Sequence, residues 1–118
     1  VSTLELGFVI PDTVDELLEF WGMNERWECS LLHQPLVRRW AWEIHATQEF
    51  VPERLPTRIG ERVLIARLAF DVTGEWKVSH GQLVGPDYPR TIFPVDDGRF
   101  TVYPGDRINL NVHMVGVR

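Results

Sequence analysis

The stretch Glu61–Val84, ERVLIARLAFDVTGEWKVSHGQLV, decides the fold. From Arg62 to Val72 it is dense in β-branched and aliphatic residues, with Arg67 the one charge between Val63 and Phe70. Apolar residues at both parities describe a strand covered on both faces. Thr73-Gly74 interrupts the run, and Trp76, Lys77, Val78, Ser79 and His80 resume it. A two-residue break ending in Gly between two such runs predicts a β-hairpin, with the rest of the chain packing on it or pairing beside it.

Working outward, the flanking segments also read as strands. Arg107–Arg118 alternates, with Ile108, Leu110, Val112 and Met114 on one side and Arg107, Asn109, Asn111 and His113 on the other. Asp97-Gly98 and Pro104-Gly105 are turn signals, and Thr91–Val95 carries Pro94, which suits an edge strand. Leu36–Val51 has a period near two, with Trp40, Trp42, Ile44, Ala46 and Phe50 expected inward. Trp27, Cys29 and Leu31 alternate, although Leu31-Leu32 before Pro35 also suits a helical turn. Thr3–Ile10 is a short strand ended by Pro11. Thr13 and Glu16 then form a capping-box pattern, and Val14, Leu17, Leu18 and Trp21 follow at helical spacing up to Gly22, a short helix of about three turns.

These elements predict one domain over residues 1–118, of α+β class and mostly β. The expected architecture is a strongly curled antiparallel sheet or barrel of about six or seven strands with one short N-terminal helix. In an up-and-down meander the loops Pro52–Gly60 and Gly85–Arg90 and the Pro104-Gly105-Asp106 turn would share one end, with Thr73-Gly74 and Asp97-Gly98 at the other.

Composition narrows the function classes. The chain of 118 residues is 44% hydrophobic and 25% charged, as in ordinary globular domains. Its net charge of −5 argues against non-specific nucleic-acid binding. The single Cys29 excludes an internal disulfide and a multi-cysteine zinc site, which fits a reducing, cytoplasmic setting. No stretch is long and apolar enough to span a membrane as a helix, none reads as a signal peptide, and no motif implies a cofactor.

No catalytic constellation stands out. Ser79-His80 are neighbours, so on a strand they point to opposite faces and are not expected to hydrogen-bond as a pair. No serine sits in a Gly-x-Ser-x-Gly elbow. If the sheet closed, His45 and His113 would lie at similar depth beside Glu43 or Glu49, the groups for a general base or a metal; no His-x-His or His-x-x-x-His spacing supports a metal. Five Trp residues suggest instead an aromatic-lined pocket for a small apolar or aromatic ligand. Trp40, Trp42 and Trp76 would hold it, with Arg54, Arg58 and Tyr88 at the mouth.

Arg54-Leu55-Pro56-Thr57-Arg58 is similar in its Arg-x-x-x-Arg spacing to PilZ domains, barrels that bind cyclic dinucleotides. Their second motif, Asp/Asn-x-Ser-x-x-Gly, is not completed: Asp71–Trp76 lacks the Ser and the final Gly. The likeness spans five residues, and no family is assigned on it.

The expected function is therefore non-catalytic binding of a small molecule. The first alternative is a protein-interaction module, acting by self-association to a homo-oligomer or by docking a basic partner on the acidic N-terminal region from Glu5 to Glu28. The second is a small enzyme with a His/carboxylate base.

Overall fold

The structure is a computed structural model, and it describes residues 2–10, 25–53, 58–59, 62–86, 90–95 and 98–115. These form ten strands: β1 (Thr3–Ile10), β2 (Trp27–His33), β3 (Glu43–Phe50), β4 (Arg58–Ile59), β5 (Arg62–Asp71), β6 (Trp76–Val78), β7 (His80–Val84), β8 (Thr91–Pro94), β9 (Phe100–Val102) and β10 (Arg107–Val115). They make two four-stranded sheets, β1-β10-β5-β4 and β3-β2-β7-β8, and a two-stranded ribbon, β6-β9. No helix occurs among the described residues, and the helix expected from Thr13 to Gly22 lies outside them.

The expected barrel is not formed. The strands divide between open sheets, and β1 runs parallel to β10 rather than antiparallel. Nor is the central hairpin formed. β5 pairs with β10 and β4, whereas β6 pairs with β9 and β7 with β2 and β8. Thr73-Gly74 thus carries the chain from one sheet to the ribbon. Gly74 lacks the positive φ that the second position of a type I′ hairpin turn requires; Gly98 (76°) and Gly105 (93°) have it. The meander inference falls with the hairpin. The Pro104-Gly105-Asp106 turn lies beside the Thr73-Gly74 break, since Gly105 N–H donates to the Val72 carbonyl and Val72 N–H to that of Asp106.

The two sheets pack face to face. From the first come Leu6 and Phe8, Ile65, Leu68 and Phe70, and Ile108, Leu110, Val112 and Met114. The second contributes Trp27, Cys29, Leu31, Leu83 and Phe93, and the ribbon adds Trp76, Val78 and Val102. Phe8 is the central contact. Its ring meets Phe93 edge-on at 5.2 Å and lies over Gly81 of β7, where a Cβ would come within 1.8 Å of the ring. Only glycine at 81 lets the sheets approach this closely. Burial also holds Cys29 as the thiol, with its pKa pushed up to about 12, so it is no nucleophile in the folded protein.

Two local irregularities shape the surface. Residues 36–42 are not strand: Ala41 N–H bonds the Arg38 carbonyl in a turn, and Trp40 faces solvent. On β3 the register shifts opposite Leu31/Leu32, and His45 becomes an extra residue. This bulge breaks the alternation, so Ile44 faces out while Phe50 is buried.

Packing at position 81 predicts a double-mutant cycle. Gly81→Ala should cost about 3 kcal/mol or more by overpacking, and Phe8→Ala about 3–5 kcal/mol. With Phe8 already truncated, adding Gly81→Ala should cost less than about 1 kcal/mol, a coupling near 2 kcal/mol measurable by urea unfolding. Additive costs would show that the ring does not depend on the missing side chain.

Candidate functional site

At Ser79 the chain passes from the β6-β9 ribbon into β7 and its four-stranded sheet. There Ser79 N–H donates to the Leu32 carbonyl (2.9 Å) and its carbonyl accepts from Val95 N–H (3.2 Å). Its Oγ accepts from Gln34 N–H (2.8 Å) and lies 2.8 Å from His80 Nδ1. Neighbouring strand residues would face apart, but the change of sheet brings these two together. With Oγ accepting from the backbone, its hydroxyl hydrogen is free to meet Nδ1 of a neutral His80 carrying its proton on Nε2. Ser79 is buried and its oxygen is committed to the loop, so the pair serves as a clamp rather than as a nucleophile and base.

The clamp holds both ends of the segment from Gln34 to Trp42. Gln34 is fixed by the Ser79 hydroxyl and by Arg99, whose Nη1 donates to the Gln34 carbonyl. Gln34 Nε2 donates to the Arg39 carbonyl (2.9 Å), bracing the loop internally. At the far end the Trp42 ring stands edge-on to His80 at 5.0 Å. A loop whose ends meet at one place and whose side chains brace it is an Ω-type loop, a common carrier of function.

The loop displays apolar side chains that a folded protein usually covers. Leu36 is 69% exposed, Val37 88%, Trp40 79%, and Ile44 at the start of β3 59%. Beside them a groove of about 550 Å³ runs between the loop and the ribbon, lined by Pro35, Leu36, Val37, Phe100 and the stems of Arg38, Lys77 and Arg99. Its two acid–base neighbours, His33 and Glu43, bond each other (3.2 Å). Three cations therefore face one already engaged carboxylate, in a chain whose net charge is −5.

The residues expected to hold a ligand are dispersed. Trp76 is buried and stacks on His45 (5.8 Å, 10° between planes), Trp42 packs on His80, and Trp40 stands on the exposed loop. None of the three lines the groove. Arg54 and Tyr88 lie outside the described residues, as does the Arg58 side chain. His45 and His113 belong to different sheets, and among the described residues no three His, Cys, Asp or Glu side chains converge as metal ligands. His45 Nε2 donates to the Lys77 carbonyl (2.8 Å), and Glu49 pairs with Arg26 (2.8 Å). Sequence reasoning missed the Ω-type loop because residues 36–50 alternate like a strand throughout. Pro35 and Arg38-Arg39 were the available signals of a turn.

No family model, curated protein or solved structure matches this chain. Among the described residues no helix is long and apolar enough to cross a membrane.

The clamp predicts a pH dependence. Burial, and then the charge of Arg99, hold the His80 pKa below its ordinary 6.5. Folding therefore favours the neutral ring. That stabilisation is complete above pH 6.5 and is lost as pH falls through the lowered folded value. Thermal unfolding should show a Tm that drops between pH 7 and pH 5, and His80→Asn, which keeps an acceptor near Nδ1 without titrating, should flatten the drop. Equal slopes in the two proteins would remove His80 from the clamp.

Proposed function

We propose that the chain is a protein-docking module that receives an acidic, apolar segment of a partner on the Leu36–Ile44 surface. The observation that carries this reading is the exposure of Leu36, Val37 and Trp40 on an anchored loop, and of Ile44 just beyond it on β3. Contiguous apolar surface rimmed by charge marks interaction sites, and Trp and Arg dominate the energetics of such sites. Anchoring at Gln34 and Trp42 means that little loop entropy remains to be lost on binding.

The partner's charge follows from the rim. Arg38, Lys77 and Arg99 line the groove beside Leu36 and Val37, and Glu43 is engaged by His33. Carboxylates on the incoming segment would pair with these cations and be steered toward them. This sign is opposite to that of the acidic N-terminal region from Glu5 to Glu28, of which residues 11–24 lie outside the described residues. The small-molecule reading receives less support, because Trp40, Trp42 and Trp76 occupy three different settings.

Fluorescently labelled peptides combining Asp and Glu with Leu and Trp should bind, and counterparts with Lys in place of the acids should not. Trp40→Ala should weaken binding by about 2 kcal/mol, roughly thirtyfold. The double reversal Arg38→Glu with Arg99→Glu should weaken it at least about tenfold and reduce its salt dependence. Equal binding of acidic and basic peptides, or full affinity in the Trp40→Ala protein, would refute the proposal.

A further inference from the structure

The outer face of the β1-β10-β5 sheet carries a second, separate arrangement. Strand register sets two rows side by side. One row reads Glu5, Asn109, Ala69, and the next reads Gly7, Asn111, Arg67. A carboxylate and a guanidinium thus occupy diagonally opposite corners. The other two corners hold Ala and Gly, and two amides stand between. The low corners leave a depression of about 480 Å³, which Glu5, Arg67, Asn109, Asn111, Leu64 and His113 line. Leu64 and His113 are buried although they sit on the outward face of the sheet, and they close one end of the depression.

The polar groups are unequally engaged. Asn109 Nδ2 donates to Glu5 Oε1 (2.9 Å), which fixes the carboxylate and leaves its second oxygen, with the Asn109 carbonyl, as a pair of acceptors. Among the described residues the Arg67 guanidinium makes no ion pair or hydrogen bond, and the side-chain amide of half-buried Asn111 makes none either. These two stand opposite each other in register. One corner therefore offers acceptors to a cation and the other offers donors to an anion.

We infer that this depression binds a small zwitterion whose ammonium and carboxylate are separated by an amide, a free dipeptide being the simplest case. Spacing selects the class. Adjacent strands lie about 4.8 Å apart and alternate residues about 6.8 Å apart, so the charged corners are roughly 12 Å apart at the backbone. A single α-amino acid holds its charges only about 2.5 Å apart and reaches one corner at a time. A dipeptide separates them by roughly 6 Å, and its central peptide group falls over the two Asn amides. Arg67 and Asn111 would hold the carboxylate, and Glu5 with the Asn109 carbonyl the ammonium. The site lies on a different sheet from the docking loop and does not depend on it.

The test is NMR titration of the Asn109 and Asn111 side-chain amide resonances with glycylglycine, with glycine and N-acetylglycinamide as controls. Glycylglycine should give saturable shifts with a Kd on the order of 1 mM. Glycine should bind at least about tenfold more weakly, and the uncharged analogue should give no saturable shift. Arg67→Ala and Glu5→Gln, both at exposed positions and each checked for an unchanged backbone spectrum, should each weaken glycylglycine at least about tenfold. The absence of saturable shifts, equal shifts from the uncharged analogue, or equal binding by glycine would overturn the inference and leave this face a solvated polar surface.

Discussion

Ser79 is where the two functional levels of the molecule meet. Its backbone bonds Leu32 and Val95, and its hydroxyl bonds Gln34 and His80. The residue is buried, so every one of these groups must find a partner within the protein. Satisfying all of them fixes the point where the chain passes from the ribbon into the β7 sheet and pins the Gln34–Trp42 loop against it. Replacing this oxygen with a methyl group would leave the Gln34 amide without its acceptor and the loop without one of its two anchors.

That constraint explains how so much apolar surface stays exposed on one short segment. A loose loop bearing Leu36, Val37 and Trp40 would collapse onto the nearest apolar surface. Here Gln34 and Trp42 are fixed at Ser79 and His80, and the Arg38–Ala41 turn holds Trp40 outward. The core does not need these side chains, since Phe8, Phe93 and Trp27 already fill the space between the sheets. Arg99 contributes twice: it braces Gln34, and it adds a cation to the rim of the groove. Binding surface and structural support are therefore the same few residues.

The strands were largely legible in the sequence, and the sheets were not. β1 spans Thr3–Ile10 as its alternation implied, and on β10 Ile108, Leu110, Val112 and Met114 are buried as expected. Alternation is local, however, and pairing is not. Thr73-Gly74 looks the same whether it turns a hairpin or passes the chain to another sheet, and only the pairing of β5 with β10 decides. The hydrogen bond between Ser79 and His80 was hidden for a related reason, because period two holds within a strand and fails at a change of sheet. Trp40 and Ile44 were assigned inward by a pattern that a turn and a bulge interrupt. The second site was not legible: the run Arg62–Val72 reads as covered on both faces, whereas Arg67 is exposed on the outer face of β5.

The most direct measurement of the docking surface is a map of where an acidic, apolar peptide perturbs the backbone amide resonances of the folded chain. The shifts should concentrate on residues 34–44 and on Lys77, Arg99 and Thr101, leaving the outer face of the β1-β10-β5 sheet unchanged. Perturbations centred elsewhere, or spread evenly over the surface, would contradict a docking site built on the Ser79 clamp.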